Sequence, residues 1–293
     1  MRRSACPRLC TVAVLLWACA PLYADQRVTH PYVGVAYIDR TETSPRPVHM
    51  HIIQIDLEAP GLRFRLSPPA GGREVVRQTT LEFLRQERAQ FAINAHYFLP
   101  YPSADTEAWV IGIAASDGRV YSAFESPAQD YALLPDAPGV NIDPANHATI
   151  VHRDRTQPDG THIAEPVALW TTLAGSAQIV TGGVTSIPDL AWYRTVNART
   201  AIGVSQDGRT LTLFTVDKSG GSEGMQVGEV ADLLRRDYGV WAALNLDGGG
   251  STTMVLQDPV TRDASVVNAS SDNPAGRSVG SSLAVFARPI PDP

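Results

Sequence analysis

Residues 244–255 read LNLDGGGSTTMV. An apolar strand runs into a carboxylate, three glycines and a Ser-Thr-Thr run, and apolar residues then resume. Alternation along a strand places Asn245 and Asp247 on one side and Leu244 and Leu246 on the other. Gly248, Gly249 and Gly250 leave consecutive backbone N–H groups with no side chains over them, which is how a chain builds an anion nest. Ser251, Thr252 and Thr253 add hydroxyls. No Gly-Lys-Ser/Thr follows and no Gly-x-Gly-x-x-Gly is present, so neither nucleotide-binding loop is indicated. Ser251 is not centred in a nucleophile elbow either. Two readings compete: a strand–turn–strand corner with a solvated aspartate, or the floor of a site. Two polar residues closing an otherwise apolar strand favour the floor.

Outward from this stretch, the chain alternates mainly between strands and turns. Residues 225–239, MQVGEVADLLRRDYG, carry Val227, Val230, Leu233, Leu234 and Tyr238 at helical spacing, with Gly239 as the stop. VWAALNL follows as a buried strand, TTMVL as the strand after the glycines, and SSLAVFA (281–287) closes the pattern. Upstream, 112–124 and 200–217 each set Asp-Gly between β-rich runs, a hairpin signal. QTTLEFLRQERA (78–89) reads as a second helix with a threonine cap. FAINAHYF (91–98) is a buried strand entering an aromatic loop, and 48–69 is two strands around Pro-Gly. Residues 125–170, rich in proline, are expected to hold short strands between long loops. The expected fold is α+β: a single domain over 25–293, a mixed, largely antiparallel sheet, and about two main helices packed on it.

The first 24 residues have the form of an export signal: basic MRRSACPR, apolar LCTVAVLLWACA, and Ala24 before Asp25. The apolar run is too short for a membrane span, so none is expected in the mature chain. LWAC, ending at Cys19, also resembles a lipoprotein processing box, which leaves a lipid anchor open. All three cysteines, Cys6, Cys10 and Cys19, lie in this segment, so the mature chain has no disulfide to rely on. The expected location is periplasmic or secreted. Losing Arg2, Arg3 and Arg8 moves Lys+Arg from 24 to 21 against 30 acidic residues, and the net charge from −6 to −9. Such a balance speaks against nucleic acid and anionic membrane as partners. An anionic substrate then needs a local cluster of donors.

Arg199, in NARTAIGV (197–204), offers a guanidinium suited to a two-point grip on phosphate, although an exposed strand-edge arginine has the same sequence appearance. Asn94 is polar within an apolar run and must find partners if buried. His96 is either a base or a packed loop histidine. His49 and His51 share a strand face, but two ligands are too few for a closed zinc site. His147, His152 and His162 fall in the region hardest to read. Calcium held by aspartate and backbone oxygens stays open, and no other cofactor is indicated. NAS at 268–270 is a glycosylation acceptor in a host that modifies exported proteins.

Taken together, TLEFLRQERAQFAINAHYF, RTAIGVSQDGRTLTLFTVD, GMQVGEVADLLRRDYGV, AALNLDGGGSTTMV and RSVGSSLAVFA resemble the phosphodiester glycosidase family over roughly 34–287. The resemblance implies hydrolysis of a glycosyl-1-phosphodiester, of an N-acetylglucosamine type or from an envelope polysaccharide. It also implies one active site lined by Asn94, Arg199, Asp217, Asn245, Asp247 and the loop 248–251. Asp247 is the first-choice carboxylate, as general base or nucleophile, and Asp217 the second. Arg199 and the loop amides would hold the phosphate, Asn94 and Asn245 would orient sugar hydroxyls or a water, and His96 and Thr252 are further substrate-binding candidates. Two departures bear on sugar specificity: Asn94-Ala95-His96-Tyr97-Phe98 where many relatives have Asn-Gly-Gly-Phe-Phe, and Lys218-Ser219-Gly220 after Asp217 where Gly-Arg or Gly-Gln is usual. The alternatives are a non-catalytic polysaccharide-binding module on the same fold and a serine hydrolase using Ser251 with His96.

Overall fold

The computed structural model describes residues 25–124, 134–270 and 276–290. The export segment, its cysteines and the Cys19 anchor reading lie outside the described residues. An eight-stranded sheet dominates, in the order Gln26–Tyr32, Val35–Glu42, Val48–Asp56, Thr210–Val216, Arg199–Ser205, Val240–Asn245, Ala177–Thr181 and Val184–Thr185. A second sheet orders Ala264–Val266, Met254–Gln257, Phe91–Asn94, Ser282–Phe286 and Arg63–Leu66. A third orders Arg119–Ser122, Ala114–Ser116, Thr171–Ala174, Gly139–Ile142 and Ala148–Val151. Neighbouring strands in all three run antiparallel.

Period-2 alternation explains the layering. On Val48–Asp56, Met50 and Ile52 point to one core, whereas Ile53 and Ile55 point to the other. The inner core joins Ile53, Ile55, Ile202, Leu213 and Leu244 of the large sheet to Phe91, Ile93 and Leu283 of the second and Val140 and Leu173 of the third. The outer core packs Met50, Ile52, Ala201 and Phe214 against Val227, Val230, Ala231 and Leu234 of helix α2, Val227–Tyr238. Helix α1, Thr80–Glu87, lays Phe83 and Leu84 over Ala92, Val255 and Ala284 on the far face of the second sheet. Each helix therefore covers a sheet face that would otherwise leave apolar side chains in water.

The helix ends follow their sequence signals. Thr79 Oγ1 accepts from the Glu82 amide at 3.1 Å, and Glu82 Oε2 accepts from the Thr79 amide at 2.8 Å, a capping box. Gly239 ends α2 at φ 65°, a conformation that favours glycine. The mixed α+β expectation holds in outline, with sheet more dominant than that term implies. The segment 48–69 does form two strands about Pro60-Gly61, but they enter different sheets instead of pairing. Residues 26–42, without a strong turn signal, add two strands at one edge. No helix among the described residues is long and apolar enough to cross a membrane.

Candidate active site

The strand Val240–Asn245 delivers the quoted stretch to the end of the large sheet. Leu244 and Leu246 enter the inner core, as alternation requires, and Asn245 faces the other way. The following glycines line a cleft of about 310 Å³ with Asp247 and Arg199. Gly249 sits at φ 58° inside a short 3-10 turn, Gly249–Ser251. That turn consumes part of the expected nest: the Gly249 amide donates to Ala198 O at 2.9 Å, Ser251 N to Gly248 O at 3.2 Å, and Thr252 N to Gly249 O at 3.1 Å. Among the described residues, only the Gly248 and Gly250 amides of residues 248–252 lack a backbone acceptor.

Arg199 is buried, at 3% exposure, not an exposed edge residue. Its Nε donates to Met225 O at 3.1 Å and its Nη2 to Trp192 O at 3.1 Å and to Thr195 O. Three carbonyls hold it, and among the described residues no carboxylate pairs with it. Burial pulls its pKa down from the usual value, yet an arginine remains cationic at neutral pH. The result is a guanidinium fixed by backbone carbonyls at the cleft, with no carboxylate in ion-pair contact with it among the described residues.

Asp247 is half-buried and lines the same cleft. Its backbone is pinned from both sides: its amide donates to Ala95 O at 3.0 Å and its carbonyl accepts from Asn94 Nδ2 at 2.7 Å. Asn94 is fully buried behind the loop, and its Oδ1 also accepts from Thr200 Oγ1 at 2.9 Å and from the Thr253 amide at 3.0 Å. Asn245, also buried, donates to Tyr97 Oη at 3.0 Å and to Ser176 Oγ at 2.9 Å. These two amides support the cleft from behind and do not line it.

His96 resolves as the packed histidine. Its Nδ1 meets Ser281 Oγ at 2.8 Å, and its Nε2 accepts from the Ala174 amide at 2.9 Å and lies 3.1 Å from Ile113 O. Burial lowers its pKa to about 4, so the ring is neutral. Ser251 is fully buried, and its hydroxyl accepts from Arg277 Nη1 at 3.1 Å. The Ser251–His96 hydrolase reading fails on this geometry, because each side chain has a different partner. Thr252 is buried, with Oγ1 3.3 Å from Thr200 Oγ1. Asp217 is buried outside the cleft, accepting from the Ala269 amide at 2.9 Å and facing His51. Asn268 is buried too, its amide tied to Met254 N at 2.6 Å and Thr252 O at 2.9 Å, so the glycosylation reading finds no exposed acceptor. His147, His152 and His162 pair separately with Asp143, Glu165 and Asp159.

The structure adds residues that the sequence did not single out. Tyr101, Trp192, Asn197 and Arg277 line the cleft, beside Tyr97 and Phe98 of the aromatic loop expected at 91–98. Burial, and after it the Asp247 charge, push the Tyr97 phenol well above its ordinary pKa, so it stays a hydrogen-bond donor. Arg277 stacks over the Tyr101 ring at 4.5 Å and brings a second guanidinium to the cleft. The only available signal for Arg277 was its place at the head of RSVGSS. Trp192 comes from a 3-10 turn, Ala191–Arg194, with no motif around it.

Among curated proteins, mouse N-acetylglucosamine-1-phosphodiester alpha-N-acetylglucosaminidase is 44% identical over 61 residues, 21% of this chain and 11% of the mouse protein. The catalytic domain of the zebrafish protein of that name, auto-inhibited by its pro-peptide, superposes at a TM-score of 0.58. That match covers 91% of this chain and 87% of the other at 20% identity. A hypothetical protein from Synechocystis gives 0.61 at 17% identity, covering 90% of this chain and 64% of that one. Both superpositions establish a common fold. The family profile described as phosphodiester glycosidase matches residues 87–286, well over half of the sequence, and this chain belongs to the phosphodiester glycosidase family.

Proposed function

We propose that this chain hydrolyses a glycosyl-1-phosphodiester, cleaving between the anomeric carbon and the phosphate oxygen. The observation that carries the reading is Arg199: a buried cation lining the cleft, fixed by three carbonyls and paired with no carboxylate among the described residues. A bound phosphodiester supplies an anionic partner, and Arg199 has its Nη1 group for it while Nε and Nη2 stay on the three carbonyls. Arg277 and the Gly248 and Gly250 amides stand on the same cleft as further donors.

Among the described residues, Asp247 is the one carboxylate lining that cleft. As a general base it takes a proton from water while the water oxygen bonds to the anomeric carbon. The carbon–oxygen bond electrons leave with the phosphate, which carries them as a monoester dianion stabilised by Arg199. As a nucleophile it bonds to that carbon first, and water then releases the sugar. The leaving group is weakly basic in either case, so a second carboxylate acid is not required, unlike the usual two-carboxylate arrangement. The aromatic wall of Tyr97 and Trp192 suits a sugar face, and the family relatives named above direct attention to N-acetylglucosamine-type sugars.

The test is turnover of a panel of sugar-1-phosphodiesters by the purified protein, with and without chelator, beside Asp247→Asn. Free sugar from the wild type alone supports the glycosidase and Asp247 in it. The anomer first released, read by proton NMR, separates base from nucleophile. Binding by both proteins with no turnover across the panel would instead indicate a polysaccharide-binding module.

A further inference from the structure

Away from the cleft, the large sheet assembles a group of metal-ligating side chains. Val35–Glu42 and Val48–Asp56 pair so that Asp39 lies opposite His51, and Asp217 follows the next strand, Thr210–Val216. His49 and His51, two apart on one strand, project to the same face with ring centroids 4.3 Å apart. Donor atoms of Asp39, His49 and His51 lie within 4.8 Å of one another. The Asp217 carboxylate completes the group: its Oδ2 is 3.5 Å from His49 Nδ1 and 3.4 Å from His51 Nε2.

Those two separations lie beyond the ordinary range for an N–H···O bond. They do match the edge of a coordination tetrahedron, which is about 3.4 Å when bonds to zinc are 2.0–2.1 Å. The outer atoms are also held as ligands require. His49 Nε2 is 2.6 Å from Asp39 Oδ1, His51 Nδ1 is 2.8 Å from Tyr37 Oη, and Asp217 Oδ1 accepts from the Ala269 amide at 2.9 Å. A carboxylate or hydroxyl behind each imidazole fixes the ring and aims its other nitrogen inward. Among the described residues neither Asp39 nor Asp217 has a Lys or Arg ion-pair partner. Exposure falls from 40% at Asp39 and 34% at His49 to 2% at Asp217 and 1% at His51, so the group opens to solvent on the Asp39 side.

We propose that His49, His51 and Asp217, with Asp39 at the mouth, bind a divalent transition-metal ion, and that zinc is the cation this donor set fits best. Two imidazoles with carboxylate oxygen suit zinc over calcium or magnesium, which prefer oxygen alone. The ion would tie together two neighbouring strands and, through Asp217, the segment at Ala269. It would leave one coordination position toward solvent.

The experiment is calorimetric titration of the chelator-stripped, tag-free full chain with zinc chloride, repeated with cobalt chloride while visible absorption is followed. The expected result is one equivalent bound at this site, with cobalt bands of a tetrahedral nitrogen–oxygen field. His49→Ala, at a half-exposed position, and the isosteric Asp217→Asn should each remove that equivalent, with circular dichroism confirming the fold. Asp39→Asn should weaken it by roughly 10–100-fold, as expected for a group that orients a ligand. An equivalent retained at unchanged affinity in folded His49→Ala and Asp217→Asn would overturn the proposal, as would no binding by the wild type. None of these readouts depends on the hydrolytic reading of the cleft.

Discussion

Asp247 and Arg199 reach the cleft by different physical routes, and their substitutions should separate accordingly. Asp247 is held by its backbone, through Ala95 O and Asn94 Nδ2, so changing its side chain leaves those ties in place. Asp247→Asn is expected to keep the melting temperature within about 2 °C while lowering kcat by about three orders of magnitude or more, the scale of losing a base or nucleophile. Near-wild-type kcat in that variant would remove Asp247 from the chemistry. Arg199 is held by its own side chain, through the carbonyls of Met225, Trp192 and Thr195. Arg199→Lys keeps the charge but loses the planar fork, so KM for a phosphodiester should rise about tenfold or more, with a smaller fall in kcat. Unaltered kinetics would detach Arg199 from the phosphate. Asn94 shows what residue-level reading misses: a buried polar residue needs partners, but the sequence did not say that those partners are the Asp247 carbonyl, Thr200 and Thr253.

The element that positions the site is the turn after Val240–Asn245, and its tolerance is narrow. A Cβ on Gly248 would lie 2.9 Å from Ala198 O, a backbone atom next to Arg199 that cannot swing aside. Gly248→Ala should therefore push the turn from the Arg199 strand by a few tenths of an ångström. Because misplacement of about 1 Å can cost 10²-fold in rate, kcat is expected to drop roughly tenfold with only a small loss of stability. Steady-state kinetics beside a thermal melt check this; equal kcat would mean that the glycine serves folding alone. Local elements were legible for local reasons. The capping box at Thr79–Glu82 and the αL stop at Gly239 act within a few residues of themselves. The turn at Asp117-Gly118, with φ 49° and 78°, does so as well. Sheet membership was not legible. Nothing local to Arg63–Leu66 says that it leaves its neighbour's sheet to pair with Ser282–Phe286, or that Ala177–Thr181 ends beside Val240–Asn245. Tyr97, Trp192 and Arg277 meet only once those long-range pairings exist, so the sequence showed an aromatic loop at 91–98 but not the cleft it helps to wall.

At the scale of the whole molecule, His96 is where acid should act on the fold. It bonds Ser281, beside the second sheet, and the backbone of Ile113 and Ala174, at the third, so one neutral ring joins two layers. Burial holds its pKa at about 4, whereas an unfolded chain titrates its histidines near 6.5. The folded state thus binds fewer protons than the unfolded state between those values, and stability falls as pH drops through that window. The contribution is complete above about pH 6.5 and lost by about pH 4, and its size is roughly 3 kcal/mol at 1.36 kcal/mol per unit. Urea midpoints measured at intervals from pH 7.5 to 4.5 should decline for the wild type. His96→Gln, which has no titratable ring, should be less stable at pH 7.5 but follow a flatter curve, so that the two converge toward the acid end. Parallel curves would mean that protonation of this ring does not govern how the layers separate, and the acid sensitivity would then belong to the carboxylates instead.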